Sequence, residues 1–191
     1  MIHLKDKSPK ILVIGDLIVD HYLWGSCERI SPEAPVQVVK INNESILLGG
    51  AGNVINNLQA LGAQVDMISV VGECDISNEL KGLLDDIGVE TKYLIRQRDR
   101  ITSKKSRVIA SQQQVIRYDR EGSDDISNKS QKEILNIFKN IIKDYDIILL
   151  SDYGKGVLTK ELTKSLIYIS NDIGKKVLID PKGSDYSKYK G

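Results

Sequence analysis

The feature that most constrains the fold is the alternation of short apolar runs with amphipathic stretches along the chain. Apolar runs of strand length occur at residues 11–14, 65–71, 147–150 and 177–179. Stretches with helical periodicity lie around residues 54–61, 78–87, 129–142 and 161–171. Strands that are apolar on both faces and alternate with helices are typical of a parallel sheet covered on both sides. The sequence therefore predicts an α/β fold, a mostly parallel sheet flanked by helices.

Two further stretches depart from this alternation. Residues 36–41 and 105–119 read as β segments of mixed polarity, and polar residues 111–114 divide the second segment as a hairpin turn would. These segments predict a small separate sheet, formed by residues of about 36–46 and 104–119. One α/β domain with this inserted sheet accounts for the 191 residues.

The charge balance and the cysteine content limit the partners and the compartment. With 27 basic and 26 acidic side chains the net charge is +1, so no bulk field favours nucleic acid or a membrane, and a small ligand fits better. No stretch has the length of a signal peptide's apolar core or of a membrane span. Cys27 and Cys74 lack metal spacing and suggest free thiols in the cytoplasm. His3 and His21 have no partners at zinc spacing, so no metal site of side chains is expected.

A glycine-rich turn marks the candidate ligand site. Gly49, Gly50 and Gly52 follow a strand-like stretch and lead into a predicted helix, so backbone amides and the Asn53 side chain can face a polyol or an anion. A side chain at these glycines would keep a ligand from the amides and would forbid positive φ. An ordinary tight turn with a capped helix is the alternative.

This run, extended to Gly62 and Gly72, resembles the first signature of the ribokinase-like (PfkB) carbohydrate kinases, with Ile55 departing from the usual small or hydroxylated residue. A closer resemblance is to the kinase part of bacterial heptose-7-phosphate kinase/adenylyltransferases. It includes the unusual string Arg-Ile-Ser-Pro-Glu-Ala-Pro at residues 29–35. It rests on residues 11–20, 29–36, 113–119, 151–156 and 178–183.

The resemblance implies a ribokinase-like fold in which the small sheet is a lid over the sugar site and a contact between the two subunits of a homodimer. It gives Asp20, expected just beyond the first strand, the role of binding sugar hydroxyls, and it places a second sugar-binding acid at Asp152. The alternative for Asp152 is that it caps the following turn. Asp16 is balanced between capping a turn and binding ligand, and Lys155 between phosphate contact and a solvated loop position.

A basic cluster marks the predicted lid. Lys104, Lys105 and Arg107 lie close together, with Arg117 on the next strand, and alternation puts Lys105 and Arg107 on one face. They can bind a dianionic sugar phosphate, or they can be solvated charges that protect an edge strand. The resemblance favours phosphate binding.

Other polar residues are less specific. By the resemblance, Gln113 and Gln114 match polar lid residues, whereas Gln112 stands where the family has asparagine. Arg29 and Glu33 either pair with each other or contact ligand. Asp180 and Lys182 lie near the transferred phosphate or in an ordinary turn.

The resemblance also shows what these residues lack. ATP-dependent phosphoryl transfer needs a base, an anion hole and Mg²⁺. The family supplies these with a Gly-Ala-Gly-Asp motif and an Asn-x-x-Glu motif, neither of which occurs in the 191 residues. We therefore expect no catalytic residue and no assignable cofactor-binding residue in this chain. The chain is interpreted as a truncated kinase whose general base lies in a missing part. Such a truncation would leave one edge of the parallel sheet unprotected.

The leading hypothesis is thus a carbohydrate kinase that uses ATP and Mg²⁺ to phosphorylate the anomeric hydroxyl of a heptose 7-phosphate. A non-catalytic sugar-phosphate-binding or interaction module is the alternative from another class, and another PfkB-type sugar kinase is a third. A dehydrogenase is disfavoured because Gly-x-Gly-x-x-Gly does not occur.

Overall fold

The structure is a computed structural model that describes residues 8–191, so His3 lies outside the described residues. Short 3₁₀ turns at Ile142–Asp144 and Ser187–Tyr189 accompany the longer elements. The helices are α1 (Ala51–Ala60), α2 (Asp75–Asp86), α3 (Asn128–Ile141) and α4 (Lys160–Asp172). The strands are β1 (Lys10–Gly15), β2 (Leu17–Ile30), β3 (Gln37–Gly50), β4 (Gln64–Gly72), β5 (Leu94–Gln97), β6 (Ser103–Ala110), β7 (Gln113–Arg120), β8 (Ile147–Ser151) and β9 (Lys176–Asp180).

The main sheet has the strand order β5-β4-β1-β8-β9, and every neighbouring pair is parallel. Val13 on the central strand is in register with Met67 on β4 and with Leu149 on β8. The α/β prediction is confirmed: a parallel sheet is flanked by helices. The short strand β5 was not predicted.

Helices cover both faces of this sheet because successive residues of each buried strand point to opposite sides. Leu12 and Ile14 pack on one side with Phe138 of α3 and Leu166 of α4. Val13 packs on the other side with residues of α1 and α2, among them Ile55 and Leu80. These two layers explain why the central strand β1 is buried from Ile11 to Gly15. No helix within residues 8–191 has both the length and the apolar character needed to cross a membrane.

The second sheet has the order β3-β2-β6-β7 and is mixed. β2 pairs antiparallel with β3 and parallel with β6, and β6 and β7 form an antiparallel hairpin. Ser111 and Gln112 make its turn, both at positive φ. The sequence segments of about 36–46 and 104–119 fall largely in β3, β6 and β7.

Asp20 lies beyond the first strand, which ends at Gly15, and inside β2, a strand of the second sheet that was not predicted. β2 begins only two residues after β1 ends, and Asp16 alone separates them. The chain therefore passes directly from the carboxyl end of the central strand into the second sheet, which places that sheet next to the edge where ligands of open α/β sheets bind.

Candidate functional site

An ion pair between two strands of the second sheet forms the centre of the candidate site. Asp20 on β2 accepts a hydrogen bond of 2.5 Å from Nη1 of Arg107 on β6. The two side chains are 23% and 20% exposed, so the pair remains accessible to a ligand. The Arg107 guanidinium also lies 5.0 Å from the centre of the Tyr22 ring, which holds it over an aromatic face.

The glycine run lies against this ion pair. A side chain at Gly49 would collide with Oδ2 of Asp20, so glycine is required there by close approach to the carboxylate. Gly50 has a φ of +56° and caps the N-terminus of α1. The expectation that positive φ explains all three glycines is wrong, because Gly49 and Gly52 do not adopt it. Asn53 is exposed in the first turn of α1.

Asp16 organises the loop that follows β8. Its carboxylate accepts hydrogen bonds from the backbone amides of Tyr153 (2.9 Å), Lys155 (3.0 Å) and Val157 (3.0 Å). Asp16 is buried, and three amide donors compensate for the desolvation of its charge. Of the two roles left open by the sequence, this geometry favours the structural one.

Arg100 holds the same loop from another direction, and sequence reasoning missed it. Its guanidinium donates to the carbonyl oxygens of Lys155 (2.6 Å), Asp124 (3.2 Å) and Val70 (3.1 Å). Burial lowers the pKa of Arg100, while the charges of Asp16, Asp124 and Asp125 oppose that shift. The loop that carries Lys155 is thus held by a carboxylate through its amides and by a guanidinium through a carbonyl.

Lys105 and Lys155 meet at one carboxylate. Lys105 Nζ lies 2.7 Å from Oε2 of Glu121, and Lys155 Nζ lies 2.8 Å from Oε1 of the same residue. Hydrogen bonds from Lys105 and Lys155 lower the pKa of Glu121 below its usual value. Two lysines predicted separately, on β6 and after β8, are therefore brought together by an acid that carried no sequence signal.

The remaining basic residues divide between the two faces of the second sheet. Lys104 points away from Lys105 and pairs with Glu79 on α2 at 2.8 Å. Arg117 makes two hydrogen bonds to Asp119, of 2.9 and 2.8 Å. The hydrogen bond from Arg117 and the nearby charge of Lys105 lower the pKa of Asp119. Only part of the predicted basic cluster therefore shares the face of Asp20.

Asp152 is buried, and its carboxylate has three partners. Oδ1 accepts from the amide of Gly154 at 2.8 Å, which is the turn-capping alternative, while Oδ2 accepts from the Tyr189 hydroxyl (2.8 Å) and from Lys188 Nζ (2.5 Å). Asp180 is exposed and accepts a hydrogen bond from Ser151 Oγ at 3.4 Å. Asp152 thus contacts the C-terminal turn of the chain.

Tyr153, next to Asp152, is half-buried in the loop after β8. Burial, together with the charges of Asp180 and Asp20, raises its pKa. Lys182 donates its backbone amide to the Tyr189 hydroxyl at 3.1 Å. Other predicted residues lie apart from the ion pair: Gln113 is exposed at the far end of the β6–β7 hairpin, opposite Ala110.

The loop with Arg29 and Glu33 is exposed and closed by backbone hydrogen bonds. The amide of Ser31 donates to the carbonyl of Val36 at 2.8 Å, and the amide of Glu33 donates to the Ser31 hydroxyl at 3.2 Å. Among the ion pairs that residues 8–191 form, none joins Arg29 to Glu33. The turn is therefore closed by hydrogen bonds of Ser31, Glu33 and Val36, and not by an ion pair of Arg29 with Glu33.

The site offers hydrogen-bond acceptors and fixed cations in one place. A carboxylate held by Arg107 can accept sugar hydroxyls, and the ammonium groups of Lys105 and Lys155 can bind an anionic group. Within residues 8–191, no group of three or more His, Cys, Asp or Glu side chains has the arrangement of a metal site. The arrangement is therefore suited to binding a charged polyol.

Comparison with known proteins agrees with this chemistry. The model of the pfkB family of carbohydrate kinases matches residues 8–190. The chain is 63% identical over 185 residues to the bifunctional protein HldE of Aliarcobacter butzleri. This alignment covers 97% of this chain and 39% of that protein. It is 56% identical over 188 residues to HldE of Sulfurimonas denitrificans, covering 98% and 39%. The chain thus spans about two fifths of the length of these curated relatives.

Solved structures share the fold at low identity. Ribokinase of Arabidopsis thaliana, complexed with ribose and ATP, superposes with a TM-score of 0.62 at 16% identity, covering 93% of this chain and 55% of that one. A carbohydrate kinase from Agrobacterium tumefaciens superposes with a TM-score of 0.62 at 18% identity, covering 90% of this chain and 53% of that one. Because the family model spans nearly the whole chain, the protein belongs to the pfkB family of carbohydrate kinases.

Proposed function

We propose that this chain binds D-glycero-β-D-manno-heptose 7-phosphate as part of a kinase that phosphorylates its anomeric hydroxyl with ATP. The product would be the 1,7-bisphosphate, a precursor for ADP-heptose and the lipopolysaccharide core. The resemblance of residues 29–35 and four other segments to heptose-7-phosphate kinases supports this choice of sugar. The identities of 63% and 56% to proteins named HldE support it independently.

The observation that carries the proposal is the Asp20–Arg107 pair against Gly49. Arg107 binds Oδ1 of Asp20, while Oδ2 occupies the space that a side chain at Gly49 would need. A carboxylate fixed in this way presents acceptor lone pairs in a defined direction, which suits adjacent hydroxyls of a sugar. Gly50 and Asn53 at the start of α1 would add backbone and amide contacts.

We place the 7-phosphate of the sugar near Lys105 and Lys155. Their side chains are only 17% and 16% exposed and converge from two different parts of the chain. Two converging ammonium groups favour a dianion over a neutral sugar. Asp152 and Gln113 are weaker candidates for sugar contact, because Asp152 is paired with Lys188 and Gln113 lies at the hairpin end.

A second candidate function is a non-catalytic module that binds a sugar phosphate. The sequence contains neither Gly-Ala-Gly-Asp nor Asn-x-x-Glu, and residues 8–191 form no cluster suited to a metal ion. ATP and Mg²⁺ belong to the proposed kinase reaction, but we assign them to no side chain of this chain. Binding without turnover is what this candidate requires.

We also propose a homodimer formed through the second sheet, in the cytoplasm. Ile116 and Tyr118 on β7 are exposed large apolar side chains on one face of this sheet. Such residues on one face favour contact with a second copy. Ile116→Lys should lower the sedimentation coefficient towards that of a monomer, and an unchanged coefficient would contradict the dimer. Cys27 and Cys74 are free, which fits a reducing compartment.

Calorimetric titration of the chain with heptose 7-phosphate tests the sugar site. Asp20→Ala and Lys105→Ala should each weaken binding by about tenfold or more, since each removes a charge-assisted contact. Asp172→Ala and Lys164→Ala, at exposed positions of α4, are the matched controls and should bind as the wild type does. Fructose 6-phosphate and ribose test whether the chain belongs to another sugar kinase.

An assay of ATP turnover in the presence of Mg²⁺ distinguishes the two functions when the missing motifs are supplied in a second polypeptide. Turnover with heptose 7-phosphate when a second polypeptide carrying the Gly-Ala-Gly-Asp and Asn-x-x-Glu motifs is added would support the kinase, whereas sugar binding with no turnover in that mixture would support the module. A folded sample that binds none of the sugars would contradict both.

A further inference from the structure

Glu121 forms ion pairs that connect the second sheet to the main sheet. It is the first residue after β7, and its carboxylate lies between Lys105 of the second sheet and Lys155 of the loop after β8 of the main sheet. Each carboxylate oxygen takes one lysine, at 2.7 and 2.8 Å. The Glu121 side chain is 30% exposed, so water and solutes reach it.

A bridging carboxylate has the chemistry of a phosphate group in the same place. Both present two or more anionic oxygens, and both accept charge-assisted hydrogen bonds from ammonium groups. Lys105 has a second acid nearby, Asp119 at 3.4 Å, but Asp119 is itself held by Arg117. Among these groups Glu121 alone bridges both lysines.

The backbone around Glu121 permits the side chain to leave. Residues 121–123 form the short link between β7 and a segment that is anchored from Asp124 onward. The carbonyl of Asp124 accepts from Arg100, and the amide of Ile126 donates to the carbonyl of Gly156 at 3.0 Å. Movement of Glu121 therefore does not require movement of the anchored segment or of the loop that carries Lys155.

We propose that Glu121 is a resident competitor for the phosphate subsite, displaced from Lys105 and Lys155 when a sugar phosphate binds. This inference rests on the proposed function, because it takes the sugar phosphate as the ligand. Glu121 then sets specificity: a phosphorylated sugar supplies the dianion that replaces its carboxylate. A neutral sugar supplies none, so the two lysines stay paired with Glu121.

Glu121→Gln separates this role from a purely structural one. Glutamine keeps the shape but has no charge, so the lysines lose their resident anion. If Glu121 competes with phosphate, the variant should bind heptose 7-phosphate and inorganic phosphate about three- to tenfold tighter than the wild type does. If Glu121 only positions the lysines, the variant should bind both ligands more weakly. The two roles predict opposite signs.

The experiment is calorimetric titration of the wild type, Glu121→Gln, and Glu133→Gln as the matched control. Glu133 is exposed on α3, and its substitution should leave both affinities unchanged. Adding Lys105→Ala to Glu121→Gln should abolish the gain. Circular dichroism melting establishes that each variant is folded before its affinity is compared.

The outcomes separate this inference from the function on which it rests. Wild-type binding of heptose 7-phosphate with no tighter binding by Glu121→Gln would overturn the competitor role and leave the sugar-phosphate site intact. Absence of sugar-phosphate binding by the folded wild type and by Glu121→Gln would overturn both.

A spectroscopic measurement detects displacement directly. In protein labelled with ¹³C at the Glu carboxyl carbon, the signal that disappears in Glu121→Gln belongs to Glu121. Saturation with inorganic phosphate should shift this signal because the carboxylate exchanges lysine partners for water. A signal that stays in place while phosphate binds would contradict the proposal.

Discussion

The main sheet and the second sheet are stabilised by different interactions. Strand β1 is buried from Ile11 to Gly15, and apolar side chains from four helices enclose its two faces. Strand β7 is exposed along all its eight residues, and the face of the second sheet with Asp20 is dominated by ion pairs. Stability and ligand chemistry are therefore supplied by separate parts of one chain.

This separation has a physical reason. Burial of apolar surface is favourable whatever its neighbours, whereas a charge that must bind a ligand has to stay near water and near an opposite charge. Asp16 and Arg100 are neither apolar core residues nor ligand-binding charges. They are charged side chains that fix the loop that carries Lys155. They connect the stable sheet to the candidate site.

The largest expected effect tests the stable side of this comparison. Phe138→Ala should lower the free energy of unfolding by about 3–5 kcal/mol, because it removes a fully buried aromatic ring between α3 and the main sheet. Leu47→Ala, at a position of β3 in the second sheet that is 54% exposed, should change it by less than about 0.5 kcal/mol. Urea denaturation measures both. Comparable losses would mean that the second sheet shares the stability of the main core.

Asp16→Asn should give an intermediate effect, because it acts where the two regions meet. The amide group of asparagine replaces an acceptor oxygen with a donor that faces backbone N–H groups. We expect a loss of about 1–3 kcal/mol in urea denaturation. Amide hydrogen exchange at Tyr153, Lys155 and Val157 should become faster.

Asp180→Asn is the control for that substitution, because Asp180 ends a neighbouring strand but is exposed. It should leave both the stability and the exchange of the loop amides nearly unchanged. Equal effects of the two variants would show that the charge at the sheet edge matters, and not the three hydrogen bonds of Asp16.

The sequence predicted the elements whose side chains carry a periodic apolar signal. β1, β4 and β8 were predicted because burial on both faces of the sheet leaves an apolar run, and the four helices because burial of one face leaves a helical period. β9 was also predicted from its apolar run, although its residues are half-buried or exposed. β2 was missed because it runs from the core into solvent, and its side chains change from Val19 to the charged Asp20 and the exposed Trp24. β5 was missed because it has only four residues.

The contacts of the candidate site were harder to predict, because they join residues far apart in sequence. Asp20 meets Arg107 across 87 positions, and no local pattern encodes that pairing. Arg100 and Glu121 lie in connections where a charged residue is ordinary, so only the fold reveals their partners. The strand alternation of Lys105 and Arg107 was the one local signal that placed two site residues on a common face.

The smallest expected effect is on the melting temperature, and it concerns the tie between the sheets, that is, the ion pairs of Glu121 with Lys105 and Lys155. Lys105 and Lys155 lower the pKa of Glu121 in the folded state, so the tie contributes stability above the ordinary glutamate pKa of about 4.3. That contribution is lost as the pH falls through the lower folded pKa. The wild type should therefore melt about 1–3 °C above Glu121→Gln at neutral pH, and the gap should close under acid conditions.

Melting curves followed by circular dichroism from pH 7 to pH 3 measure this gap, with Glu133→Gln as the control at an exposed position. Protonation of Glu121 gives a neutral side chain like that of glutamine, so the two proteins must converge if the carboxylate charge is responsible. A gap that persists at pH 3 would attribute the stabilisation to packing of the side chain instead. Side-chain packing, and not charge, would then join the second sheet to the main sheet. At this contact the two regions would be stabilised by the same kind of interaction.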